Sequence, residues 1–296
     1  MKTLKHQIDD VKYWLFWRTS GIYDLFDKVR FFYFVLPKYR RKSPLFQHIN
    51  IETTNICTKK CPFCYFGNVT NPLKLKVMSD KLFKSLIDQL ADMKYRGRIS
   101  LFEINEPLTD PSIFERVAYV KKKLPRSLHV MVTNGDLLTP KKLERLFQLG
   151  VDRIDLNAYN KSDLIRNKNL LKKAKYPKDR LIRYDKTQRF LTTLWASRGG
   201  SLDKYKKKII PKKPCELVHV QMIIKSNGDV VGCANDLYRK QIMGNVTKQA
   251  IKDVWFGEKF ETLRKNLNQG KRHKFPLCKG CDYGGVGGYT RHTKKK

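Results

Sequence analysis

Cys57, Cys61 and Cys64 stand on one short stretch, Ile51-Glu-Thr-Thr-Asn-Ile-Cys-Thr-Lys-Lys-Cys-Pro-Phe-Cys-Tyr65, with the spacing C-x3-C-x2-C. Three thiolates on one loop can hold three irons of a 4Fe–4S cube, and the loop offers the fourth iron nothing. An open iron is a place for a ligand to bind and react. A closed zinc site would want a fourth ligand nearby, usually as paired C-x2-C units, and the x3 spacing argues against it. The remaining cysteines are Cys215, Cys233, Cys278 and Cys281, the last two forming a C-x2-C pair. Four thiolates complete either a structural zinc ribbon or a fully ligated 4Fe–4S cluster. Taken alone, this set leaves both open. Three plus four uses every cysteine, so none remains as a hydrogen-atom donor or nucleophile.

Further chemistry sits where apolar runs end. Phe102-Glu-Ile-Asn-Glu-Pro-Leu108 places Glu106, a carboxylate acceptor of the kind a bound ammonium needs, after one run. Thr133-Asn134-Gly135 follows another, where Asn supplies donor and acceptor and Gly permits close backbone approach. By themselves these are ordinary turn signals. His129, inside an apolar run, reads as a core histidine.

The cysteine spacing, with Phe63 before the last cysteine, resembles the signature of the radical S-adenosylmethionine (radical SAM) enzymes. Their open iron chelates the methionine amino and carboxylate groups of S-adenosylmethionine. Asn105-Glu106-Pro107 resembles the Gly-Gly-Glu-Pro segment near the cofactor amine, with Ile104 and Asn105 in place of the glycines. The resemblance implies that Phe63, Asn105, Glu106, Thr133, Asn134, Asn157 and Arg183 contact the cofactor, Asn157 and Arg183 through its ribose and carboxylate. A solvated surface position is the plainer account of Arg183. The C-terminal cysteines resemble the auxiliary-cluster extensions called SPASM and twitch domains, in the shorter twitch form with one auxiliary 4Fe–4S cluster. Joined to the N-terminal loop, they favour iron–sulfur over zinc.

These residues need elements to position them. The chain has 296 residues, 41% hydrophobic and 11% aromatic, enough for a sizeable core. From Phe46 strands and helices alternate. Strands are expected over Phe46–Thr53, Arg98–Ile104, Leu128–Thr133, Val151–Tyr159 and Arg180–Tyr184, with a sixth near Arg189–Leu194. Helices are expected from Ser79 to Tyr95, from Asp110-Pro111 onward, and from Thr139-Pro140 to Leu149. Residues 161–180 give no clear pattern. Such alternation implies parallel βαβ units. The fold class is α/β, a partial (βα)6 TIM-like barrel followed by a small cysteine-rich auxiliary-cluster domain. Chemistry is expected at the C-terminal strand ends. The domains read as a basic aromatic extension (1–47), the partial barrel (48–200), the SPASM/twitch-like region (201–285) and a basic tail (286–296). In the third, Val218–Ile224 and Val230–Cys233 read as a hairpin turned at Asn227-Gly228, and Ala250–Leu267 as a helix with Gly257 a weak point.

No apolar run is long enough to cross a membrane, and no signal peptide is visible, so the expected location is the cytoplasm. The net charge of +35 suits a polyanion partner. Its lysines are scattered, which favours a solvated surface bias; no nucleic-acid partner is expected. Residues 1–47 could lie on an anionic membrane or pack their aromatics on the neighbouring domain, the latter being the commoner use.

The resemblance implies reductive cleavage of S-adenosylmethionine to a 5′-deoxyadenosyl radical, which takes a hydrogen atom from substrate. The layout looks nearest to twitch-type dehydrogenases of aminocyclitol alcohols, where the auxiliary cluster accepts an electron. Oxidation of a sugar or cyclitol carbinol, with a flavodoxin- or ferredoxin-type reductant, is the first expectation. Maturation of a peptide or protein is the second, and a non-catalytic zinc protein binding nucleic acid is the third.

Overall fold

The computed structural model describes residues 45–62, 64–67, 74, 76–177, 181–184, 199, 201–202 and 214–283. Residues 1–44 of the basic aromatic extension, the strand expected near Arg189–Leu194 and Phe63 lie outside them. The strands are β1 (His48–Ile51), β2 (Arg98–Ser100), β3 (Leu128–Thr133), β4 (Arg153–Leu156), β5 (Leu181–Tyr184), β6 (Gln221–Ile224), β7 (Asp229–Val231) and β8 (Ile242–Asn245). They form one eight-stranded sheet in the order β5-β4-β3-β2-β1-β6-β7-β8. Strands β1 to β5 are parallel, and β6 joins parallel to β1 with Ile51 opposite Ile224. Within this sheet only the β6–β7 and β7–β8 pairings are antiparallel.

Alternation decides which side chains meet the helices. Ile49, Ile51, Ile99, Met131, Ile154, Met222 and Ile224 join one buried cluster with the helical side chains. Helix α1 (Asp80–Asp92) begins where Ser79 Oγ accepts the Leu82 N–H, a cap worth about 1 kcal/mol. It buries Phe83, Leu86, Ile87 and Leu90, a stripe at helical spacing. Helix α2 (Ile113–Lys123) starts three residues later than Asp110-Pro111 suggested. The Asp110 carboxylate accepts the Ser112 N–H at 3.0 Å and pairs with Arg116 at 3.2 Å, so a turn closes before the helix opens. Helix α3 (Pro140–Gln148) is capped by Thr139 as expected.

Residues 161–173 form helix α4 (Lys161–Lys173), which the sequence did not disclose. Its buried positions are Asp163, Asn167 and Leu170, so the inward face is mostly polar and leaves no apolar period to read. The C-terminal region also differs in detail. Val218–Val220 belongs to a helical turn, α5 (Leu217–Val220), and the hairpin's first strand starts only at Gln221. The Ala250–Leu267 helix is two, α6 (Ile251–Trp255) and α7 (Glu258–Asn268), broken at Gly257. A Cβ there would lie 2.7 Å from the Asp253 carbonyl oxygen.

The parallel β1–β6 pair carries the sheet across the expected boundary near residue 201. Trp255 of α6, fully buried, packs on Phe46 ahead of β1 and on Phe260 of α7, with ring centroids 5.2 and 5.1 Å apart. The Arg264 guanidinium stacks over its indole at 4.1 Å. No helix among the described residues is long and apolar enough to cross a membrane.

Candidate functional site

The C-terminal ends of β1 to β4 converge. The first cysteine loop leaves β1, Glu106 follows β2, Thr133-Asn134-Gly135 ends β3, and Asn157 follows β4. Glu106 ties these ends together. Its Oε1 accepts the Thr133 hydroxyl at 2.7 Å and the Leu108 N–H at 3.1 Å, and its Oε2 accepts the Asn134 N–H at 2.8 Å. Burial nonetheless holds its carboxyl above the usual range. The Glu106 N–H donates to the Ile56 carbonyl at 2.9 Å, which fixes the start of the cysteine loop.

Asn134 reaches the loop directly. Its Nδ2 donates to Thr58 Oγ1 at 3.0 Å and to Cys57 Sγ at 3.7 Å. Gly135 has φ +79°, and a Cβ there would strike Leu156 at 2.7 Å, so glycine is required for this turn. The Asn157 N–H donates to the Thr133 carbonyl at 2.9 Å. Asn105 is 3% exposed; its Oδ1 accepts the Glu103 N–H, while its buried Nδ2 finds no acceptor among the described residues. Arg183 lies on β5 in register with Asp155.

Charged groups missed by sequence reasoning clamp the loop. Lys59 pairs with Asp136 at 3.1 Å and Asp163 at 3.0 Å. Arg166 of α4 pairs with the same two carboxylates and donates to the Asn134 carbonyl at 2.7 Å. Burial works against ionising Asp163, but the Tyr159 N–H, Lys59 and Arg166 more than offset it and hold its carboxyl below the usual range. A second network, also unforeseen, joins β1, β2 and β6 where they end. Fully buried Lys225 meets Glu103 and, at 3.5 Å, Glu52. Glu52 also accepts the Ser226 N–H and hydroxyl and faces Arg239 at 3.4 Å. Burial alone would discharge Lys225; the two carboxylates reverse that and raise its pKa. No sequence signal marks Lys225 among 62 lysines and arginines.

All seven cysteines are free thiols. Burial pushes Cys57 up to about 11 and Cys61 up to about 12, and Cys64 lies close enough to raise both further. In the C-terminal set burial pushes Cys215 up to about 11 and raises Cys233, Cys278 and Cys281. These four line one cavity together with Gly199 and Arg272. Several sulfurs already accept a backbone N–H from two residues on. Lys59 N donates to Cys57 at 3.5 Å and Asn235 N to Cys233 at 3.4 Å, and Leu217 and Tyr283 serve Cys215 and Cys281 in the same way. Such donors favour thiolate over thiol. Among the described residues no three His, Cys, Asp or Glu side chains close around a single-ion point. Thiols facing a cavity fit a cluster better than one tetrahedral zinc.

Known proteins share both halves of this arrangement. The sequence model of the Radical SAM superfamily matches residues 51–182, and that of the SPASM iron–sulfur cluster-binding domain matches residues 215–282. The S-adenosyl-L-methionine-dependent 2-deoxy-scyllo-inosamine dehydrogenase of Niallia circulans is 29% identical over 238 residues, 80% of this chain and 93% of that protein. The crystal structure of BtrN in complex with AdoMet and 2-DOIA has a TM-score of 0.70 at 29% identity, covering 81% of this chain and 94% of that one. A structure of BtrN in an open conformation has a TM-score of 0.61 at 27% identity, over 81% and 93% of the two chains. The cysteine loop at the end of the first parallel strand falls within a radical SAM domain over residues 51–182, and the cavity lined by four further cysteines falls within a SPASM-type iron–sulfur cluster-binding domain over residues 215–282, two domains that imply S-adenosylmethionine and 4Fe–4S clusters.

Proposed function

We propose that the protein is a radical SAM dehydrogenase that oxidises a carbinol carbon of a sugar or cyclitol to a ketone. In this reading Cys57, Cys61 and Cys64 hold the first cluster, and Cys215, Cys233, Cys278 and Cys281 hold the auxiliary one. When bound, S-adenosylmethionine and the two clusters supply hydrogen-atom abstraction at carbon and removal of a second electron, the hydroxyl proton leaving separately. The chain's own residues build the geometry. Glu106 already accepts three protein donors, and a carboxylate has about four acceptor directions, so one remains for the cofactor ammonium. Asn105 Nδ2 is a buried donor suited to a cofactor or substrate oxygen. Thr133, Asn134 and Asn157 hold the β3 and β4 ends against the loop. Phe63 and Arg183 are assigned by motif alone. Residues 48–200 and 201–285 act as barrel and auxiliary regions that share one sheet and one core.

The observation that carries the reading is the C-terminal set. Four protein thiols around one cavity would ligate every iron, leaving an electron carrier without a substrate site. The likeness to the Niallia circulans dehydrogenase over 93% of its length supports a small cyclitol substrate. A flavodoxin- or ferredoxin-type donor, typically acidic, would suit the +35 chain. The test is anaerobic reconstitution followed by incubation with S-adenosylmethionine, dithionite and 2-deoxy-scyllo-inosamine. Mass spectrometry should show a product lighter by two hydrogens and 5′-deoxyadenosine in equal amount. Deoxyadenosine release with no such product across a panel of cyclitols and aminosugars would refute the reading.

A further inference from the structure

The loop that joins β7 to β8 carries Cys233 and leans on the first cysteine loop. It is closed on itself. Fully buried Asp236 accepts the Lys240 and Gln241 N–H groups at 2.8 Å, one on each carboxylate oxygen, and its own N–H donates to the Cys233 carbonyl at 3.0 Å. The residues between reach across to the other half. Leu237 and Tyr238 join Tyr65 and Phe66, which follow Cys64, and Ile104 in an apolar cluster separate from the main core. The Tyr65 and Tyr238 ring centroids are 5.7 Å apart. Next in the chain, Arg239 places one guanidinium nitrogen 3.4 Å from Glu52 Oε1 and the other 3.5 Å from Asp229 Oδ2. Glu52 is fully buried just after β1, where the chain enters the first cysteine loop.

Arg239 makes this bridge at φ +55°, a left-handed backbone that costs a non-glycine residue free energy. Among the described non-glycine residues only Lys94 shares a positive φ, and Lys94 closes helix α1, where a left-handed cap is usual. Arg239 lies between two strands and has no helix to close. Such strain persists where surrounding contacts over-determine the conformation. Here those contacts are the Asp236 turn on one side and the Tyr65 ring and Glu52 carboxylate on the other.

We propose that Tyr238 and Arg239 are positioning residues that hold the Cys233 loop in register with the first cysteine loop, and so fix the distance between the two cysteine sites. The proposed dehydrogenase works one substrate from both sites. A hydrogen atom leaves the carbinol carbon toward the first, one electron goes to the second, and the hydroxyl proton leaves separately. A loop out of register then lowers the product formed for each S-adenosylmethionine cleaved. The inference rests on that reading for its purpose, but the distance can be measured without substrate.

The experiment uses the reconstituted holoenzyme with both clusters reduced, and reads the distance between them by dipolar electron paramagnetic resonance. The unaltered protein should give one narrow distance. Tyr238→Ala and Arg239→Gln should each spread it, and Arg239→Lys should keep it narrow. In the two spreading variants 5′-deoxyadenosine release should continue near its original rate, while ketone formed per deoxyadenosine should fall about tenfold, as a small misplacement between reacting partners does. A distance as narrow as the original in fully iron-loaded Tyr238→Ala and Arg239→Gln proteins overturns the proposal. Loss of auxiliary-site iron in both, with circular dichroism intact, makes these residues part of the site's construction and overturns it too. If the distance spreads yet no form of the protein oxidises a cyclitol, the dehydrogenase reading fails and the positioning role stands.

Discussion

The two cysteine sites are built from the same kind of side chain and differ in how the fold holds them. The first is one loop whose thiols come from eight consecutive residues, 57–64. Its position depends on neighbours reached through other strands: Glu106 after β2, Asn134 after β3 and Arg166 on α4. The second gathers thiols from 215, 233, 278 and 281, and the β6–β7 hairpin and α7 bring them to one cavity. The first site has three thiols and polar groups that can face a ligand. The second has four thiols and a buried arginine. A site that must bind and cleave a cofactor keeps one coordination position open, whereas one that only moves electrons can be closed.

Cysteine replacements separate the sites most sharply. Cys61→Ala should abolish 5′-deoxyadenosine formation, measured by chromatography. Cys281→Ala should keep cleavage of S-adenosylmethionine while lowering ketone formation at least tenfold. Normal turnover by the second variant would remove the electron-acceptor role. Next comes Glu106, which anchors only the first site. Glu106→Ala leaves the Thr133 hydroxyl and two backbone N–H groups without their acceptor, so the apoprotein should lose about 3 kcal/mol in urea unfolding. A loss near zero would mean that the strand ends hold together without it.

Acid sensitivity compares the halves through one buried histidine in each. Burial holds His129 of β3 and His219 of α5 down to about 4. Between that value and the ordinary histidine value the unfolded chain binds more protons than the folded one, so stability rises with pH. It should be fully present above about pH 6.5 and fall as pH drops toward 4, by on the order of 3 kcal/mol for each histidine. His219→Gln, which keeps a polar group near Asn268 Oδ1, should flatten the C-terminal half's share of a melting-temperature profile. An unaltered profile would assign the acid sensitivity elsewhere. The smallest effect is expected at Lys59, whose pairs with Asp136 and Asp163 are partly solvated. Lys59→Met should cost about 1 kcal/mol, less in high salt, as read by thermal melts.

Much of the fold was legible because helix caps and strand runs are local. Ser79 and Thr139 begin helices where their sequences say, and β3 has the expected bounds. Helix α4 was not legible, because Asp163 and Asn167 occupy the face where apolar residues usually carry the period. Val218–Val220 read as strand because β-branched residues favour extension, yet tertiary packing turned them into a helical turn. In the site, cysteine spacing and the Thr-Asn-Gly turn were visible. Lys59, Arg166, Lys225 and Arg272 were not, since nothing local distinguishes a paired or buried cation in a chain this basic.

The sequence by itself determined which atoms can bind metal, how three of them are spaced, and where the parallel strands run, because coordination number and backbone period are properties of residue type and interval. Tertiary structure decided the rest. It set β6 beside β1, so the second cysteine region continues the first region's sheet. It brought Glu106 to Thr133 and Asn134, 27 and 28 residues away in the chain. It also placed Arg272, among 62 basic side chains, in the cavity lined by four thiols. Burial makes that choice consequential: a charge worth little in water acts strongly where the dielectric is low.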